Sequence, residues 1–123
     1  MNSTDALTLH SGYWCECWTQ SPATGEDPVL LAALKASTSS EAVRWIRGAV
    51  QTVALSLEPE TVEHAWDWIR SGYIADVEAL LRNEPCAVDL SYAGTYIGWT
   101  ARPALFLPVA RLKAAELPWH SHG

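Results

Sequence analysis

The chain has 123 residues, enough for one domain with a modest core, and its 49% apolar and 18% charged residues argue for a globular fold over a disordered one. It carries 8 basic and 14 acidic residues for a net charge of −6. With the bases scattered, this sets aside nucleic-acid binding, which rests on phosphate neutralisation. No apolar run approaches the roughly 18 residues a membrane span needs.

The opening "MNSTDALTLH" lacks a basic region followed by an apolar stretch, so no secretion signal is expected. The three cysteines are odd in number, and Cys15 and Cys17 stand too close on an extended chain to bridge easily. Reduced thiols and a cytoplasmic address are expected. Residues 1–123 read as a single domain, with loose ends at about 1–6 and 118–123.

Residues 7–19 alternate with period two and predict a strand. Leu7, Leu9, Tyr13, Cys15 and Cys17 share one face, and His10, Trp14, Glu16 and Trp18 share the other. The leucines and cysteines assign the odd face to the core. "SPATGEDP" is a loop, and Asp27-Pro28 signals a helix start, predicting a short helix with Leu30, Leu31 and Leu34. Thr38 and Glu41 then have capping-box spacing. The stripe Ala42, Val43, Ile46, Ala49, Val50, Val53 and Leu57 predicts a helix to about residue 56, with Trp45 on its opposite side. The alternative is an end near Gln51, with residues 53–57 as a strand.

Pro59 suits a first helical position, and Val62, Trp66, Ile69 and Tyr73 make a core stripe. Ser71-Gly72 predicts a stop with the glycine left-handed. A further helix carries Ile74, Val77 and Leu81 and ends at Asn83 and Pro85. "CAVDLSYAGTYIGWTAR" predicts a hairpin turning at Ala93-Gly94. In that register Leu90 faces Ile97, Val88 faces Trp99 and Cys86 faces Ala101 on the apolar side. Ala87–Thr100, Asp89–Gly98 and Ser91–Tyr96 lie on the other. "ALFLP" adds a strand or covers the core, and Pro108 opens a last short helix with Val109, Leu112 and Ala115. The expected fold is α+β: a small antiparallel sheet, from the N-terminal strand plus the C-terminal hairpin, with three or four helices on one face.

That arrangement leaves Trp14, Glu16, Trp18 and Tyr96 on a sheet face turned away from the helices. Each tryptophan can bury about 150–250 Å², so such a surface calls for a partner, a ligand or a second subunit. The competing reading has a loop or the C-terminal helix fold over and seal it. A metal site built from Cys15, Cys17 and His10, or from His120 and His122, lacks the second ligand pair that structural zinc uses. No metal or cofactor is expected. His64, Asp67 and Trp68 stand at helical spacings of three and four, where a histidine beside a carboxylate can act as a base. The alternative is a solvated face with an ordinary charge pair, on which Trp68 marks a second contact surface.

No nucleophile elbow, phosphate loop or paired-histidine metal motif occurs. The sequence therefore points to a small acidic interaction protein, inhibitor- or immunity-like or self-associating as a homodimer, with an aromatic sheet face. Its candidate binding residues are His10, Trp14, Glu16, Trp18, His64, Trp68 and Tyr96. The alternative is a small enzyme or carrier with an aromatic-lined pocket for an apolar or planar molecule. His10, Glu16, His64 and Asp67 are then the acid–base candidates.

Overall fold

The computed structural model describes residues 9–22, 25 and 27–107. Strands β1 (His10–Gln20), β2 (Val29–Ala36), β3 (Cys86–Tyr92) and β4 (Thr95–Phe106) form one antiparallel sheet in the order β2-β1-β4-β3. Helix α1 spans Ser39–Ala54. Helix α2 is a composite: α-helical over Glu63–Asp67, π-helical over Trp68–Gly72, and α-helical again over Tyr73–Leu81, with a 3₁₀ turn at Pro59–Val62 leading in. The fold is α+β, with two helices among the described residues; three or four were expected for the whole chain. Among the described residues no helix is long and apolar enough to cross a membrane. The expected C-terminal helix at 109–115, the loose ends, Leu7, His120 and His122 lie outside the described residues.

The hairpin follows its sequence register pair for pair, from Cys86 against Ala101 to Tyr92 against Thr95. Ala93 (φ 52°) and Gly94 (φ 84°) both take positive φ, the mark of a two-residue turn whose twist matches the strands. The first strand joins the hairpin by pairing with β4 along its whole length, His10 against Phe106 through Gln20 against Tyr96. β4 therefore absorbs "ALF" in a single strand of 12 residues, and no separate strand forms there. The ladder to β3 stops at Ala101, so from Arg102 onward β4 is an edge on that side, where Pro103 is tolerated.

Two expectations fail. Residues 29–36 are not a helix but the edge strand β2, paired with β1 from Tyr13–Ala36 to Thr19–Val29, with a bulge that leaves Leu31 unmatched. "VLLAALKA" is apolar nearly throughout, so neither period is written in it, and the Asp27-Pro28 signal tips the reading the wrong way. The second failure is Gly72. Its φ is −61°, the chain does not stop, and the helix continues through the π turn. One extra residue rotates the following turns by about 100°. The buried stripe thus passes to Tyr73, Val77 and Leu80, while Ile74 and Leu81 are 51% and 68% exposed. The true stop comes at Asn83 (φ 68°), where Asn83 N–H donates to the Leu80 carbonyl and Glu84 N–H to that of Ala79, a Schellman closure.

α1 starts as its sequence predicts. The Thr38 hydroxyl accepts from the Glu41 amide at 3.0 Å, and the Glu41 carboxylate accepts from the Ser37 amide at 2.7 Å. Such a cap contributes about 1 kcal/mol. The helix ends at Ala54, which settles residues 50–54 as helix. Its buried side chains Ala42, Val43, Ile46, Val50 and Ala54 meet Cys15, Cys17, Cys86, Val88, Leu90, Trp99 and Ala101 from the sheet and Val62, Ala65, Ile69 and Leu80 from α2. Between the helices, Arg47 Nε donates to the Ile69 carbonyl in the π turn at 2.7 Å, and its guanidinium lies 4.4 Å from the Tyr73 ring centroid. Trp99 is the largest of the fully enclosed side chains, and its indole N–H has no acceptor among the described residues. An unmade bond of that kind costs about 1–3 kcal/mol.

Candidate functional site

Parity along β1 divides its side chains as the sequence indicates. Cys15 and Cys17 are buried against the helices, while Trp14, Glu16 and Trp18 lie half-buried on the opposite face. Leu9, expected to mark the core face, does not: it precedes the strand and is 43% exposed. Burial, with the Glu41 carboxylate adding to it, drives the Cys15 thiol up to about 11, and burial raises the Cys17 thiol. Both remain neutral thiols lining the core.

On the open face the two indoles are tied to one carboxylate. Trp14 Nε1 donates to Glu16 Oε2 at 3.0 Å, and Trp18 Nε1 donates to Glu16 Oε1 at 3.1 Å. Residues two apart on a strand point the same way about 7 Å from each other, so Glu16 stands between the rings and reaches each N–H. The two indole bonds, helped by the nearby Arg102 charge, hold the Glu16 carboxyl below its ordinary pKa. It is an anion at neutral pH, and two carboxylate oxygens offer about four acceptor sites, of which the indoles use two.

Cross-strand pairing widens this surface. Trp14 stands opposite Arg102 on β4 and Lys35 on β2, Glu16 opposite Thr100 and Ala33, and Trp18 opposite Gly98 and Leu30. Two glycines let aromatic rings lie flat. A Cβ on Gly98 would overlap the Tyr96 hydroxyl and come within 2.8 Å of its Cζ. A Cβ on Gly12 would come within 2.9 Å of the Phe106 ring. Phe106 also tilts against Trp14 at a centroid distance of 6.5 Å, with the Lys35 ammonium 4.7 Å above its ring. The result is one sheet face carrying Phe106, Trp14, Trp18 and Tyr96, with Glu16 joining the two indoles.

Of the expected residues, Trp14, Glu16, Trp18 and Tyr96 are brought together. His10 sits at the same face's far end, opposite Phe106, and is exposed. His64 and Trp68 belong elsewhere. His64 Nε2 lies 3.2 Å from the Asp89 carbonyl, joining α2 to β3. Asp67 pairs with Arg70 at 3.5 Å on a solvated surface, so the spacing of three and four does not assemble a His–Asp pair. Trp68 Nε1 donates to Asp76 Oδ2 at 2.7 Å, and its half-buried ring meets Tyr73 edge-on within α2. The sequence reading missed Phe106, Lys35 and Arg102. Carrying the even parity of the hairpin on through Pro103 finds two of them, Arg102 and Phe106.

Among the described residues no group of three or more histidine, cysteine or acidic side chains is placed to hold a metal. A cleft of about 210 Å³ lined by Val53, Leu57, Leu90, Tyr92 and Ile97 is apolar but below the roughly 300 Å³ at which ligand pockets begin. A recess of about 430 Å³ at the other end of the sheet, with Ser11, Tyr13, Ser37 and Asn83 in its wall, has no charged side chain among the described residues of its lining. Comparison with protein-family models, with curated proteins and with solved structures found no match.

Proposed function

We propose that this chain is a protein-binding module whose working surface is the open face of the sheet, and that its partner presents a lysine or arginine side chain to the Trp14–Glu16–Trp18 cradle. The observation that carries the reading is the pair of indole N–H bonds to one carboxylate. They hold both rings and the anion in place before a partner arrives, which removes much of the ordering cost of binding. A cation seated there meets the carboxylate directly and the indole faces beside it, a cation–π contact of about 0.5–2 kcal/mol. The net charge of −6 favours the approach of a basic surface. This is the chemistry of an inhibitor or immunity-like protein set against a basic target. Three free, buried cysteines suit a reducing compartment such as the cytoplasm.

The test is a titration of the ¹⁵N-labelled chain with an arginine-rich peptide at physiological salt, where loose charge attraction is screened. The indole N–H resonances of Trp14 and Trp18 are expected to move while that of the buried Trp99 stays. Glu16→Gln should weaken binding by about tenfold with the melting temperature little changed. Shifts spread evenly over the acidic surface, or binding indifferent to Trp14→Ala and Trp18→Ala, would overturn the reading.

A further inference from the structure

We propose that the cleft between α1 and α2 binds a phosphate group carried by a small molecule, held by Arg44 and Arg47. This does not rest on the open-face reading, since it uses the helical layer.

Ser40, Val43, Arg44 and Arg47 stand at positions i, i+3, i+4 and i+7 of α1, which is one face of that helix. Tyr73 and Val77, one turn apart on α2, stand across from them. Together they line a recess of about 200 Å³. Its second wall depends on the π turn, because the extra residue in Trp68–Gly72 rotates the turns that follow and brings Tyr73 and Val77 inward. Single π turns of this kind gather at functional sites.

Arg47 is fixed before a ligand arrives. Its Nε bond to the Ile69 carbonyl and its place over the Tyr73 ring hold the guanidinium still, while its terminal nitrogens have no acceptor among the described residues. Exposed Arg44, one turn earlier, has none there either. The chain carries 14 acidic residues against 8 basic, yet the ion pairs among the described residues are Arg70–Asp67 and Arg82–Glu84. Glu41, one turn before Arg44, accepts from the Ser37 amide at 2.7 Å, and Asp76, one turn after Tyr73, accepts from the Trp68 indole at 2.7 Å. Two like charges one turn apart on a helix repel, and an anion between them relieves that repulsion. Forked guanidinium donors match phosphate oxygens in pairs, and the Ser40 hydroxyl adds a further donor. The net charge of −6 opposes any anion at long range, so capture depends on these contacts at close quarters. Val43, Val77 and the Tyr73 ring give a short apolar stem something to lie against. The recess is too small to enclose a whole cofactor.

The experiment is an NMR titration of the ¹⁵N-labelled full chain with inorganic phosphate and with propyl phosphate, chloride holding the ionic strength constant. The Arg47 Nε–H and Ser40 amide resonances are expected to follow one saturable curve. Propyl phosphate should bind about threefold or more tighter than inorganic phosphate, because its stem meets Val43 and Val77. Arg44→Gln should weaken both by about tenfold, with the melting temperature unchanged because Arg44 is exposed. Arg70→Gln removes an exposed arginine outside the recess and should leave binding as it is. Shifts that never saturate, full binding in Arg44→Gln, or an equal loss in Arg70→Gln would overturn the proposal. A phosphoserine peptide binding more tightly than propyl phosphate would overturn the assignment to a small molecule.

Discussion

The two edges of the sheet obey opposite rules. β3 alternates strictly over its first five residues, with Cys86, Val88 and Leu90 buried and Ala87 and Asp89 exposed. The helical layer reaches that edge, where His64 meets the Asp89 carbonyl. β2 shows no alternation: Val29 through Ala33 are all exposed, and only Ala36 is buried. Alternation records that one face is covered and the other wet. Where α1 stops short of covering β2, the pattern disappears, and apolar side chains stand on both faces of an edge. The difference separates a strand finished by its own chain from one whose side chains are left open.

Matched substitutions on the two edges give the widest contrast, and the β3 partner of the pair is the most severe change expected here. Leu90 is 3% exposed, so Leu90→Lys places an uncompensated charge in the core and should cost about 4 kcal/mol or more in urea denaturation. A native-like midpoint for this variant would mean that the β3 edge is as open as β2. On the open face, Gly98→Ala pushes a methyl group into the Tyr96 ring and should cost about 1–3 kcal/mol, most of it recovered when Tyr96→Ala is added. Failure of that rescue would show that Tyr96 does not lie over Gly98.

The covered edge also sets an alkaline limit. Burial pushes the Cys86 thiol up to about 12, with the Asp76 charge and Cys15 adding to it, while Cys15 reaches about 11; the free thiol titrates near 9.0. The folded chain therefore holds these protons where the unfolded chain has lost them. Their contribution is complete below pH 9 and is lost as pH rises from 9 towards 11–12. Denaturation midpoints measured across that window should fall, and Cys86→Ala should flatten part of the slope. The smallest effect belongs to the open edge. Leu31→Lys should change stability by no more than about 0.5 kcal/mol in urea denaturation. A large loss would place Leu31 in a packed environment.

How much of this was legible follows from the same contrast. The hairpin register, the α1 cap and the assignment of Cys15 and Cys17 inward against Trp14 and Trp18 outward all follow from period two or from capping chemistry, both of which are local. Residues 29–36 read as a helix in the sequence because an edge strand exposed on both faces carries no period. Gly72 was read as a stop because a Ser-Gly pair marks helix ends far more often than it marks a π turn, and the rotation it introduces moved the buried stripe from Ile74 and Leu81 to Leu80. In the open face, the row of side chains was legible from parity, but the bonding of both indoles to Glu16 depends on rotamers that spacing does not determine. His64 and Trp68 were grouped with Asp67 by helical spacing alone, and each found a partner on another element or turn.

The account depends most on Glu16 holding two indoles at once on a face the helices leave open. An acid titration of the indole ¹H–¹⁵N resonances tests it directly. Because the carboxylate is favoured by both bonds, its pKa lies below the ordinary value, and the stability it confers is present at neutral pH and lost as pH falls through that lowered value. Trp14 and Trp18 should shift together with one shared midpoint below the usual carboxylate range, and both responses should vanish in Glu16→Gln while Trp99 stays still. Separate midpoints for the two rings, or an unchanged response in Glu16→Gln, would contradict it.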